Sequence, residues 1–545
     1  MSASTDPRQT FRFTTAMHAF LRILLSSLAA AGLVACQQSS SANEAAADSV
    51  AATPPEPAAA PDPAPAKLSG ENGQAAKTAG RSVVRVRTTT QSWNPGQPWE
   101  RTNPKRRVGL GALLSDGRVL TTSEMAADAT LIEFETPDGT RTATAAVIAA
   151  NYEANLALLT LADPEKDGSF FEGMIPLELA GDPPIGTALD IVQVETSGRT
   201  LLTRGEFRSV DIASSFLPDH FFLTLEVKAS MQSAASSYTL PVLRDGRLAG
   251  ILTSYNSKDQ LSDVIATEII RHFLRQSADG GAAGFPSLGI AATRTDDPSL
   301  RAWLKLPETT GGLYISKVRR GSSAEAAGVE VGDVLLSIDG STIDRRGYFE
   351  SPLYGPLFWS HLIRGSKISG EEVTLGLWRD GKPTALKATL KHRERDTELV
   401  PNHMFGQAPS FLVKGGFIFQ ELSDPLLKAF GKEWESKAPL NLLDAYLNPE
   451  KYNEDRNHLV FLSGVIATPA TVGYERISNL TISKVNGEAI KDIESLIAAF
   501  EKPDDGLHSI EFEDEDFTIY LDEVVSTAVD EQLLVRGIAP LSRTR

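Results

Sequence analysis

From about residue 80 the chain alternates apolar and polar positions in short runs broken by turn residues. Ser82-Val83-Val84-Arg85-Val86-Arg87 is the first. Gly109 to Leu114 leads through Ser115-Asp116-Gly117-Arg118 into Val119-Leu120-Thr121. Leu131 to Phe134, Ala145 to Ile148, Asn155 to Leu159 and Leu189 to Val194 follow, with Pro137-Asp138-Gly139 among the breaks. Period-two runs with turn signals about every ten residues predict a β-barrel or sandwich. The strongest hairpin signal is Asp245-Gly246, set between Pro241-Val242-Leu243 and Leu248-Ala249-Gly250-Ile251. After it, Val264, Ile265, Ile269, Ile270 and Phe273 are spaced for one face of a helix over 261–275. Gln276 to Ala283 is Gly-rich and reads as a linker.

The first 79 residues follow other rules. Arg8, Arg12 and Arg22 precede the apolar run Ile23 to Ala35, which is shorter than the roughly 20 residues a membrane span needs. A basic flank, a short apolar core and small residues predict a secretory signal. Leu33-Val34-Ala35-Cys36 resembles a bacterial lipobox, which implies lipidation at Cys36 and a mature chain beginning there. Gln37 stands where aspartate would signal inner-membrane retention, so the expectation is an outer-membrane anchor facing the periplasm. Residues 36–79 are rich in Ala, Pro and Ser, a semi-extended tether.

Composition narrows the classes. A chain of 545 residues has room for three or four domains. A net charge of −17 argues against nucleic acid as main partner, since phosphate binding needs clustered Lys and Arg. One cysteine rules out an intrachain disulfide. Lys105-Arg106-Arg107 reads as a solvent-facing loop, and Glu153 as a solvated side chain. The acidic strip Glu511 to Asp516 reads as a hairpin tip, and no metal or cofactor is expected.

The order of strands and motifs resembles the Do-like (Deg/HtrA) serine protease family. Its histidine segment, G-x-[IV]-[VL]-T-N-x-H, is matched by Gly117-Arg118-Val119-Leu120-Thr121-Thr122-Ser123-Glu124. Its T-D-L-A-L-L segment is matched by Ala154-Asn155-Leu156-Ala157-Leu158-Leu159. Its G-N-S-G-G-P-V segment falls on the residues before Pro241-Val242, which puts Tyr238 at the serine position and Ser237 one residue before it. The resemblance implies a mainly β fold with some α: a chymotrypsin-like double β-barrel over 80–277, then two PDZ-like α/β domains at 278–398 and 399–545. All three triad positions are replaced. A serine is activated by a neighbouring base, usually histidine oriented by a carboxylate. Glu124 and Asn155 cannot supply those roles, and no histidine lies between Cys36 and Asp219. Ser237 remains the candidate for a slipped nucleophile.

Gly321 to Gly340, G-S-S-A-E-A-A-G-V-E-V-G-D-V-L-L-S-I-D-G, resembles the PDZ signature. By that resemblance Leu288-Gly289-Ile290 is the carboxylate-binding loop and edge strand. The helix near Pro356 to Ile363 is the other groove wall, with His361 on its surface. Leu288, Ile290 and Leu362 either line a pocket for an apolar peptide end or are plain core. After Arg393 the theme repeats more loosely, with Gly473-Tyr474-Glu475 and Val485-Asn486-Gly487, and resembles the second PDZ of the plant-type branch. The expectation is a non-catalytic, lipid-anchored envelope protein that binds peptides or unfolded proteins as a scaffold or chaperone in quality control. The alternatives are an active serine endopeptidase with an atypical site and a regulatory subunit of a Do-like assembly. Family resemblance also implies a trimer-based oligomer.

Overall fold

The computed structural model describes residues 70–218, 220–231, 239–277, 284–393, 398–452 and 455–544. Cys36, Ser237 and Tyr238 lie outside the described residues. The alternating runs close into two six-stranded antiparallel barrels. The first joins Val83–Thr90, Lys105–Leu113, Val119–Thr121, Ala129–Glu135, Thr142–Asn151 and Leu156–Leu161. The second joins Ala188–Val194, Thr200–Ala213, Phe222–Lys228, Leu240–Arg244, Arg247–Asn256 and Leu261–Ala266. Inward residues such as Val83, Leu120, Leu158, Ile191, Val242 and Ile251 are fully buried, and one core runs through parts of both barrels. A barrel removes every sheet edge, so alternation suffices to bury one face of each strand.

The Asp-Gly hairpin forms as expected, with Arg244 opposite Arg247. Asp245 and Gly246 both take positive φ, 51° and 76°, the pair a two-residue type I′ turn demands. The helix expected over 261–275 begins only at Thr267. Leu261–Ala266 is instead the strand that closes the second barrel, paired on both sides. Six residues satisfy a helical or an extended period equally well, and pairing with Phe222–Lys228 decides the matter. Lys105-Arg106-Arg107 likewise starts a strand rather than forming a loop.

The first PDZ sheet runs Ile290–Arg294, Leu313–Val318, Val334–Ile338, Glu372–Arg379, Lys382–Thr389 in spatial order. Ile290–Arg294 is its edge and pairs with Leu313–Val318 alone among the described strands. The Gly-Asp of the PDZ signature has a clear role. Asp333, 1% exposed, accepts two bonds from Arg379 at 2.6 Å and one from the Glu330 N–H at 2.9 Å, tying the loop to the sheet. The second PDZ sheet differs at the corresponding edge. Phe417–Glu421 is flanked by Phe411–Lys414 on one side and Val460–Val465 on the other. A strand paired on both sides has no free ladder groups for a ligand strand. The acidic strip does turn a hairpin, Leu507–Phe512 to Thr518–Asp522, but Asp514 is engaged by Asn441 and by the Thr481 N–H.

Candidate functional site

Glu124 and Asn155, the residues expected at the first two triad positions, come together through the backbone. The strand Val119–Thr121 ends in a 3-10 turn, Ser123–Met125, whose outer residues are buried and whose centre is Glu124. Asn155 stands immediately before Leu156–Leu161, which pairs with Val119–Thr121. Its φ of 53° is the left-handed conformation asparagine tolerates better than most residues. There the side chain, almost fully buried, accepts from the Glu124 N–H at 3.1 Å and from the Ser123 hydroxyl at 3.2 Å. Its amide donates to Ser215 Oγ at 3.0 Å. The contact uses the main chain of residue 124, so it forms whatever side chain that residue carries.

Glu124's own carboxylate turns toward Arg107, 3.7 Å away, and Arg107 also donates to the Glu124 carbonyl at 2.8 Å. A carboxylate is a far weaker base than imidazole. Thr239, the residue after Tyr238, lies against this pair: its hydroxyl is 2.8 Å from that of Thr122, and its carbonyl accepts from the Leu110 N–H at 2.9 Å.

Glu153 is not solvated. It forms an ion pair with Arg364 and faces His220 Nδ1 at 3.3 Å. His220 Nε2 is in turn 2.9 Å from the Asn402 amide. Four segments meet here: the triad-slot loop, the loop before Phe222–Lys228, the helical turn His361–Arg364 and the connection between the PDZ regions. Burial alone would raise the Glu153 carboxyl, but the His220 hydrogen bond and the Arg364 charge hold it down to about 2. Burial pulls the Arg364 guanidinium the other way, down against the attraction of Glu153. Arginine stays charged in proteins regardless, so the carboxylate's depression governs the pair. The Arg364 guanidinium also lies over the Phe222 ring at 4.3 Å. Beside it the rings of Tyr152, Phe216, His403 and Phe405 pack with centroids 4.8–5.2 Å apart, which lays the connection between the PDZ regions against the same loop. Nothing in the separate sequence neighbourhoods of Glu153, His220, Arg364 and Asn402 signals this junction.

The first PDZ groove residues fall out unequally. Leu288 is 2% exposed, within the PDZ core, while Ile290 and Leu362 are half-buried against it. Gly289 has φ 72°, and a Cβ there would sit 2.4 Å from Ser322 Cβ, so the loop's close approach requires glycine. Its N–H donates to Ser287 Oγ at 3.1 Å and its carbonyl accepts from Arg319. The opposite wall is a single turn, His361–Arg364, and not a helix from Pro356, because Gly355–Phe358 pairs with Tyr348–Ser351 as a hairpin. His361 is not on the surface. Its side chain is 12% exposed, 3.6 Å from Glu268 of the helix Thr267–Ser277, and burial pushes it down to about 4. Leu362 packs on the barrel core as well as the PDZ core.

Comparison with known proteins agrees with this architecture. Residues 286–390 and 400–539 each match the PDZ domain family. Protease Do-like 2, chloroplastic, of Arabidopsis thaliana is 26% identical over 442 residues, 79% of this chain and 70% of that protein. Periplasmic pH-dependent serine endoprotease DegQ of Escherichia coli K12 is 25% identical over 304 residues, 54% of this chain and 60% of that protein. The solved structure of the HtrA-type protease AlgW with decapeptide covers 60% of this chain and 99% of its own, at 20% identity and a TM-score of 0.45. Two closed barrels followed by two PDZ matches, with Do-like proteases similar to the chain over up to 79% of its length, together support a Do-like (Deg/HtrA) trypsin-fold protease with two PDZ domains.

Proposed function

We propose that this chain is a pseudoprotease, which binds peptides or unfolded proteins without cleaving them. The observation that carries the reading is the pairing of Glu124 with Asn155 at the first two triad positions. Cleavage by this fold needs a base near neutrality against the serine, and a carboxylate beside an amide supplies none. His220 does not substitute for it: one ring nitrogen faces Glu153 and the other Asn402. The open edge of Ile290–Arg294 supports peptide capture by strand addition at Leu288, Gly289, Ile290 and Leu362. The doubly paired Phe417–Glu421 supports a structural role for the second PDZ.

The proposed division is a signal at 1–35, a tether at 36–79, the barrels at 80–277 and PDZ regions at 278–398 and 399–545. Lipid at Cys36 would hold the chain to the outer membrane, facing the periplasm. The deciding experiment incubates purified protein with unfolded casein. The expected result is delayed aggregation and no new peptide bonds cut. Cleavage that disappears with Ser237→Ala or Tyr238→Ala would sink the proposal. For the anchor, Cys36→Ser should move the protein from the membrane fraction to the soluble one, and an unchanged membrane fraction would refute lipidation.

A further inference from the structure

The hairpin Trp93–Asn94/Gln97–Arg101 leaves the first barrel and lays its tip on the second PDZ sheet, where Gln420 Nε2 donates to the Pro95 carbonyl at 3.0 Å. Beneath the tip is a cavity of about 310 Å³, walled by Trp93, Pro95, Met404, Phe405, Leu422 and Leu426. That volume is at the lower end for small-molecule sites. The cavity's polar lining includes Asp128, Ser410 and Glu421, beside Ser92, Asn94, Gln420 and Ser423. Ser410 is 2% exposed and its hydroxyl has no hydrogen-bond partner. Asp128 accepts from the Gly406 N–H at 3.2 Å, and Glu421 from the Ile493 N–H at 3.2 Å. The side-chain amide donors of the wall are already engaged: Gln420 Nε2 with Pro95 and Ser463, and Asn94 Nδ2 with Gln97.

The cavity thus combines apolar walls with two carboxylate residues in its lining, Asp128 and Glu421. An apolar body fits the walls, and a donor head fits the acceptors. Burial raises the Asp128 carboxyl against the opposing Gly406 N–H bond and the charges of Arg101 and Arg107, and with Glu421 in the same lining the cavity disfavours an anionic head. We propose that this cavity is a binding site for a compact apolar amine, its hydrocarbon against Trp93 and Leu426 and its ammonium toward Asp128 and Glu421. A carboxylate ligand, the kind of chain end a PDZ groove takes, is disfavoured here. The site is independent of peptide capture at Ile290–Arg294.

The test uses the whole soluble chain and three probes with one hydrocarbon body: phenethylamine, 2-phenylethanol and 3-phenylpropionate. Trp93 sits in the wall, so binding reads out as a change in tryptophan fluorescence absent from Trp93→Phe. Ligand-observed saturation-transfer NMR reads binding without relying on that residue. Phenethylamine should saturate in the millimolar range, with the alcohol about tenfold weaker and the carboxylate weaker still. Leu426→Trp, which fills the cavity, and Asp128→Asn should each weaken the amine by about tenfold or more. Met404→Trp replaces the first of these should it fail to fold. A dipeptide amide with N-terminal phenylalanine that displaces phenethylamine identifies a polypeptide N-terminus as the source of the amine; failure to displace identifies a free amine. Absence of saturable amine binding, equal binding of the carboxylate, or binding unaffected by the filled cavity would each overturn the proposal.

Discussion

Replacing Glu153 by alanine leaves Arg364 charged and buried at the meeting point of the first barrel and the first PDZ region. In the native chain the two side chains are 18% and 15% exposed, so solvent screens them little. Removing one partner of such a pair typically costs about 3–5 kcal/mol. The acidity of Glu153 gives an independent figure. Its carboxyl falls from an ordinary 4.5 to about 2 on folding, which corresponds to about 3 kcal/mol. Because the folded value is the lower one, this contribution is complete above pH 4.5 and is lost as the pH falls toward 2. Urea unfolding at neutral pH, followed by tryptophan fluorescence, should show Glu153→Ala destabilised by about 3 kcal/mol. The wild-type advantage should shrink steadily in acid. The joint change Glu153→Leu with Arg364→Met should recover most of the loss, since an apolar pair of similar volume leaves no charge unpaired. A loss below about 1 kcal/mol for the single variant, the range of exposed pairs, would refute the buried-pair reasoning.

Three further outcomes follow from the same geometry. Asp333→Ala strips Arg379 and the Glu330 N–H of their acceptor, and should lower first-PDZ stability by about 3 kcal/mol in thermal unfolding, with the barrels unaffected; an unchanged melting profile would contradict it. His361 is held near 4, below its ordinary 6.5, by burial that outweighs the nearby Glu268 and Asp182 carboxylates. The unfolded chain therefore binds the proton more readily, and stability should decline as the pH drops from about 6.5 toward 4. His361→Phe should flatten that slope, and an unaltered slope would rule His361 out. Asn155→Ala loses both accepted bonds and its bond to Ser215 at a left-handed position, and should cost about 2–3 kcal/mol by urea unfolding. Asn155→Asp keeps the acceptors and should stay within about 1 kcal/mol; equal losses for the two would count against the role given to the acceptor oxygen.

The barrel strands and the Asp-Gly hairpin were legible because a half-buried strand must alternate and a type I′ turn needs positive φ at both residues. The first PDZ sheet was legible only through the resemblance of Gly321 to Gly340 to the PDZ signature, and the structure adds that Asp333 of that run is buried under Arg379. Leu261–Ala266 misled because a six-residue apolar run has no decisive period, and only its two strand partners made it extended. His361 and Glu153 misled for another reason. Polar residues default to the surface, and each is buried by a neighbour far away in the chain.

Sequence by itself determined the order of domains and the absence of histidine from the first barrel, because these depend on local pattern and identity. Only tertiary structure decided that Asn155 serves the Glu124 main chain and that Glu153, His220, Arg364 and Asn402 form one junction. The same holds for the free ladder edge of one PDZ sheet and the paired edge of the other. Burial and pairing are properties of chain segments brought together from distant parts of the sequence, as Glu153 and Arg364 are, 211 positions apart. No window along the sequence contains both partners, so no periodicity can report their meeting.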